Sequence, residues 1–119
     1  MQIQRTNIRG VPEHAVLSFP NWTNEFVHCA EKNDLSGLER IANNFTNLGG
    51  DLVVLINTND EILGRAALHA AADFGSYNVV EWLMENGAEQ SLKCNENGFC
   101  PIHYAARSGR RDVVLHLLQ

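Results

Sequence analysis

Laid over itself at an offset of 34 residues, this chain repeats. Gly64 falls on Gly98, His69 on His103, Ala71 and Ala72 on Ala105 and Ala106, and Gly75 on Gly109. Val79 and Val80 fall on Val113 and Val114, and Leu83 on Leu117. These are eight identities in 22 ungapped pairs, and Leu68/Ile102 and Met84/Leu118 add conservative matches. Self-similarity at such a period belongs to structures in which one small unit is stacked on the next.

The unit itself reads as two helices. Leu68 to Phe74 is rich in alanine, which favours helix and lets neighbouring helices approach closely. Gly75 stops it, because glycine enters the left-handed conformation without steric cost. Asn78 to Asn86 reads as a second helix, with Val79, Val80, Leu83 and Met84 on one stripe and Gly87 just past its end. A hairpin of this size cannot bury its apolar side alone, so copies must stack.

The stretches GRAALHAAADFGSYNVVEWLMENGA and GFCPIHYAARSGRRDVVLHLL resemble ankyrin repeats, whose pattern runs G-x-T-P-L-H-x-A-A-x-x-G-x-x-x-V-V-x-L-L-x-x-G-A. Ala66 and Cys100 replace the threonine of that pattern, and Ala67 replaces the proline of the earlier copy. The spacing exceeds the family's period of about 33 by one residue, which lengthens the connecting finger between Gly87 and Pro101. A degenerate copy lies upstream in FVHCAEKNDLSGLERIANN, residues 26–44. There Val27 takes the histidine position, Ala30 falls on Ala72, Asn33 takes the glycine position, and Leu38 and Ile41 fall on Val80 and Leu83. Asn33 suits a left-handed turn, and the added charge suits a solvent-facing cap.

The expected fold is therefore all-α: an α-solenoid of about three ankyrin-type helix–turn–helix repeats. Residues 1–22, with Pro12 and Pro20, read as an irregular N-terminal arm, laid along the cap through Val16, Leu17, Phe19 and Trp22. Residues 23–57 read as the capping repeat with a long loop, 58–91 as a full repeat and 92–119 as a truncated one. Within the long loop, LVVLI (52–56) is apolar and β-prone. Either it extends the preceding helix or it forms an insert packed locally, and the insert is favoured. The last stripe, Val113, Val114, Leu117 and Leu118, has no further unit to stack on. This reads as a fragment of a longer repeat protein, or as an end that self-associates.

Composition excludes several functions. The net charge of −5 argues against nucleic acid as a partner, and no apolar run is long enough to span a membrane. The N-terminus lacks the apolar core of a signal peptide. Cys29, Cys94 and Cys100 have no disulfide framework spacing, which fits an intracellular, cytoplasmic protein. The sequons at Asn21 and Asn44 then read as chance. Residues 23–64 carry seven acids against two bases, whereas 98–119 carry three arginines and one acid.

No catalytic, cofactor or metal site assembles. Cys94, Cys100 and His103 do not have the paired spacing of a zinc site, and Cys100, in a threonine's place, reads as a small core residue. Cys29 and His28 are helix neighbours that point apart. No phosphate-binding glycine motif is present. His69 and His103 sit at the Leu-His position of the ankyrin pattern, and the resemblance implies that they are structural rings bridging backbone groups. His28 and His116 read as surface residues, and Arg107, Arg110, Arg111 and His116 as a basic cluster on a solvated helix end. What remains is a binding surface for a protein partner. The resemblance implies that it comprises Ile62, Leu63 and Arg65 on one finger with Asp73 and Phe74 on its helix. In the next copy it implies Glu96, Asn97 and Phe99 with Arg107 and Ser108. The expected function is that of a scaffold or adaptor; the alternative is a regulatory or targeting segment of a larger enzyme or channel.

Overall fold

The computed structural model describes residues 19–119, with side chains from Trp22 onward. Seven helices and no strand are found among the described residues: α1 (Phe19–Glu31), α2 (Leu35–Asn47), α3 (Leu52–Ile56), α4 (Ala67–Phe74), α5 (Tyr77–Glu85), α6 (Pro101–Arg107) and α7 (Arg111–Leu117). They form three antiparallel pairs, α1/α2, α4/α5 and α6/α7, and the pairs stack side by side. In the inner layer α4 packs between α1 and α6.

Alanine makes this inner layer possible. Ala70, Ala71 and Ala72 of α4 are fully buried between the flanking helices. With no side chain beyond Cβ, they let helix backbones approach at interior packing density. The outer helices supply the larger groups: Leu38, Ile41 and Phe45 from α2, Val79, Val80 and Leu83 from α5, Val113 and Leu117 from α7. The turn between paired helices needs a left-handed residue, and Gly75 and Gly109 take φ of 69° and 71°. Asn33 does the same work in the first pair at φ 55°. It also accepts a hydrogen bond from the backbone N–H of Val79 across the repeat boundary (3.3 Å).

Two expectations about the first repeat are corrected. Helix α1 begins at Phe19, inside the stretch read as irregular, and Pro20 lies in its first turn, where a missing N–H is tolerated. Trp22 is half-buried and meets Phe45 edge-on at 5.3 Å. The remainder of the arm, including Val16 and Leu17, lies outside the described residues. LVVLI is an insert, as favoured, but a helix rather than a strand. A solitary strand would leave its backbone groups unpaired. One helical turn satisfies them locally, with Leu55 N–H donating to Asp51 O and Asn57 N–H to Val53 O. The Asp51 side chain caps the turn by accepting from Val53 N–H (3.0 Å), and Leu55 and Ile56 are buried.

Candidate recognition surface

Between the helix pairs run two fingers, residues 57–66 and 86–100. Their backbone is held by side-chain amides. Asn59 Nδ2 donates to Lys93 O (3.2 Å) and to Asn95 Oδ1 (2.9 Å). Asn57 reaches the second finger from the other end, donating to Gly87 O (3.0 Å) and accepting from Glu89 N–H (2.8 Å). The buried Asp60 carboxylate accepts from the N–H groups of Leu63 and Arg65, each at 3.1 Å. The fingers are thus tied to each other.

His69 ties finger to helix. Its Nδ1 accepts from Ala66 N–H (3.0 Å), so its Nε2 carries the proton and donates to Leu92 O in the following finger (2.8 Å). Burial holds the ring below its ordinary pKa, keeping it neutral. His103 repeats the local bond, accepting from Cys100 N–H (2.9 Å), but it is exposed where His69 is buried. The surroundings differ because α4 lies between two helices of the inner layer and α6 against one. The threonine missing from both copies is not needed for this bond, since its donor is backbone.

The expected contact residues divide. Ile62 is 71% exposed and Leu63 47%, both on the tip of the first finger. Glu96 and Asn97 are exposed on the second finger, though Asn97 Oδ1 is spent internally, accepting from Phe99 N–H (3.0 Å) and Cys94 Sγ (2.5 Å). Phe74 stands at the end of α4, 50% exposed. Arg107 stands at the equivalent end of α6, its side chain 55% exposed. Its guanidinium lies over the rings of Phe99 and Tyr104, at 5.6 and 5.0 Å, with Asp73 Oδ1 at 3.9 Å. Asp73 and Ser108 are half-buried and hydrogen-bonded to each other. Phe99 is half-buried, packed among His103, Tyr104 and Arg107.

Arg65 is the correction. It is buried and forms an ion pair with Glu31 of α1, with Phe74 6.0 Å from its guanidinium. Burial lowers its pKa, and a partner molecule cannot reach it. The basic cluster also dissolves. Arg110 Nε donates to Asp73 O (2.9 Å), His116 meets the Tyr77 hydroxyl (3.3 Å) and is half-buried, and Arg107 lies on a different helix from Arg111. Cys94, rather than Cys100, is the buried thiol of this finger. Burial works to raise its pKa, but hydrogen bonds from the Tyr104 hydroxyl (3.1 Å) and nearby backbone outweigh it and hold the thiol low. Sequence reasoning missed Glu31 and Tyr104, which orient Arg65 and Arg107. Glu31 was visible as the residue that aligns with Asp73.

Among the described residues, no group of three or more His, Cys, Asp and Glu side chains is gathered as for a metal ion, and no helix is long and apolar enough to cross a membrane.

The family description "Ankyrin repeats (3 copies)" matches residues 26–119. The chain belongs to the ankyrin repeat family. Among curated relatives, it is 29% identical over 107 residues to the human Notch-regulated ankyrin repeat-containing protein, covering 89% of this chain and 88% of that one. It is 32% identical over 62 residues to the human inhibitor of Bruton tyrosine kinase, covering 52% of this chain but 5% of that protein. Among solved structures, a chain in the crystal structure of the yeast ribosomal protein Rps3 in complex with its chaperone Yar1 superposes with a TM-score of 0.71 at 24% identity. That match covers 78% of this chain and 63% of the other. As an ankyrin repeat chain it departs from the family pattern in carrying alanine or cysteine in place of threonine before α4 and α6, and the helical insert α3.

Proposed function

We propose that this chain is an intracellular protein-recognition module, a scaffold or adaptor, that grips its partner with the inner face and the fingers. One observation carries this reading. Phe74 and Arg107 stand exposed at equivalent ends of adjacent inner helices, and Arg107 is oriented by two aromatic rings beneath it. Aromatic and arginine side chains held rigidly on a surface are the groups that dominate protein interfaces, each costing about 2 kcal/mol when truncated at a well-packed centre. Ile62 and Leu63 extend the surface along the finger.

Affinity capture with the intact chain tests it, in parallel with a Phe74→Ala, Arg107→Ala double variant and a control, Glu39→Ala, on the exposed side of α2. Captured proteins should be lost with the double variant and kept with the control. Survival of every captured protein in the double variant removes the inner face from the reading.

A second reading rests on the match to the inhibitor of Bruton tyrosine kinase, of which the aligned region is 5%. There, the aligned stretch is a small part of a long chain. In that reading the present repeats are the regulatory or targeting segment of a larger protein. An antibody to this chain that detects a much heavier species in cell extract supports it.

A further inference from the structure

Ile62 and Leu63 stand on the outermost turn of the first finger, and Ile62 is the most exposed of the large apolar residues described. They are not loosely placed. Asp60 N–H donates to Arg65 O (2.8 Å), closing the turn beneath them. The Asp60 carboxylate fills the inside of that turn by accepting from Leu63 and Arg65 N–H. Asn95 N–H donates to Gly64 O (2.7 Å), fixing the tip to the second finger. Two branched aliphatic side chains are therefore presented to water on a turn held from within by Asp60.

Beside them an open cleft of about 480 Å³ separates the two fingertips, with Asn59, Glu61 and Leu63 on one side and Asn95 and Glu96 on the other. No lysine, arginine or histidine lines it. Asp60 is consumed by its own turn, which leaves Glu61 and Glu96 as the exposed charges of the cleft, and neither makes an ion pair among the described residues. Of the bases on the fingers, Arg65 is buried in its ion pair with Glu31, and Lys93 is exposed on the second finger, its carbonyl held by Asn59.

We propose that this fingertip cleft docks a basic segment of a partner protein, one in which an apolar side chain seats against Ile62 and Leu63 while flanking lysines or arginines face Glu61 and Glu96. The apolar pair supplies the contact that excludes water, and the carboxylates select the sign of the partner's charge. This deepens the recognition reading above and rests on it, but it uses a separate part of the surface. The inner-face site centred on Arg107 has the opposite charge preference.

The experiment is a titration of the ¹⁵N-labelled full chain, followed by NMR, with two short peptides that share a Leu-Phe-Leu centre, one flanked by lysines and the other by glutamates. The lysine peptide should bind more tightly, move amide signals at 59–64 and 95–97, and weaken as salt is raised. Ile62→Ser, a change at an exposed tip, should weaken it about fivefold with an unchanged urea midpoint. A Glu61→Lys, Glu96→Lys double variant should reverse the preference in favour of the glutamate peptide. Equal binding of both peptides, no shift with either, or an unaltered preference in the double variant overturns the proposal. Shifts centred on Phe74 and Arg107 overturn it too, while leaving the inner-face reading in place.

Discussion

The guanidinium of Arg65 is locked against the carboxylate of Glu31, joining the first finger to the last turn of α1. It lies at the boundary between the first two repeats, beside α4, whose own packing is made of alanines. Arg65 is buried whereas the Glu31 side chain is 23% exposed, so loss of the cation leaves a carboxylate that water can partly reach. Arg65→Ala should therefore lower stability by about 2 kcal/mol, less than a fully buried pair would lose. Arg65→Met, which keeps the volume and removes the charge, should lose less. Urea midpoints of the three proteins test this order.

His69 makes stability depend on pH. Its folded-state pKa lies below the ordinary 6.5, because burial penalises the charged ring. Between the two values the unfolded chain binds the proton and the native one does not, so stability rises with pH through that window. The contribution is complete above the ordinary value and is lost as pH falls toward the folded one. The decline should begin near pH 6.5 with a slope of at most about 1.4 kcal/mol per pH unit, above the range where carboxylates titrate. Urea unfolding between pH 7.5 and 5 measures it. His69→Asn should be less stable at neutral pH and should lack this decline.

Asn33 tests the degenerate first repeat. Glycine at this left-handed position would relieve backbone strain, but the Asn33 side chain also caps α5 by accepting from Val79 N–H. A cap is worth about 1 kcal/mol, comparable to the left-handed cost for a residue with a Cβ. Asn33→Gly should be close to neutral or slightly destabilising. Asn33→Ala loses the cap and keeps the strain, and should fall by about 1 kcal/mol. Thermal unfolding of both variants separates the two contributions; a stabilised Asn33→Gly beside an unchanged Asn33→Ala would show that the cap is not formed.

The helices α4 to α7 and their turns could be read from the chain alone because the comparison was internal: a glycine or histidine that recurs at a fixed offset identifies its own role. Positions without a counterpart were harder. Arg65 aligns with Phe99, so nothing in the second copy revealed that it turns inward, and its partner Glu31 belongs to the repeat that resembles the others least. LVVLI has no counterpart either, and its β propensity gave way because none of the described residues forms a strand to pair with it while Asp51 caps a helical turn. The arginines of the third repeat looked like one cluster because they are close in sequence. The turn at Gly109 separates them, leaving Arg107 on the inner helix and directing Arg110 to the carbonyl of Asp73.

That separation predicts opposite behaviour for two neighbouring arginines. Arg110 is half-buried and its Nε–H donates to a backbone carbonyl of the preceding repeat, so Arg110→Ala should lower stability by about 1 kcal/mol. Arg107 is mostly exposed, and its contact with Asp73 is a 3.9 Å ion pair at the surface, which contributes little to folding. Arg107→Ala should shift stability by less than about 0.5 kcal/mol yet weaken a captured partner about tenfold or more. Arg107→Lys keeps the charge without the planar stack over Phe99 and Tyr104, and should recover only part of the affinity. Denaturation midpoints and dissociation constants, measured on the same preparations, show the crossing. If Arg110→Ala weakens the partner more than Arg107→Ala, the inner-face site is centred on the turn rather than on the stacked arginine.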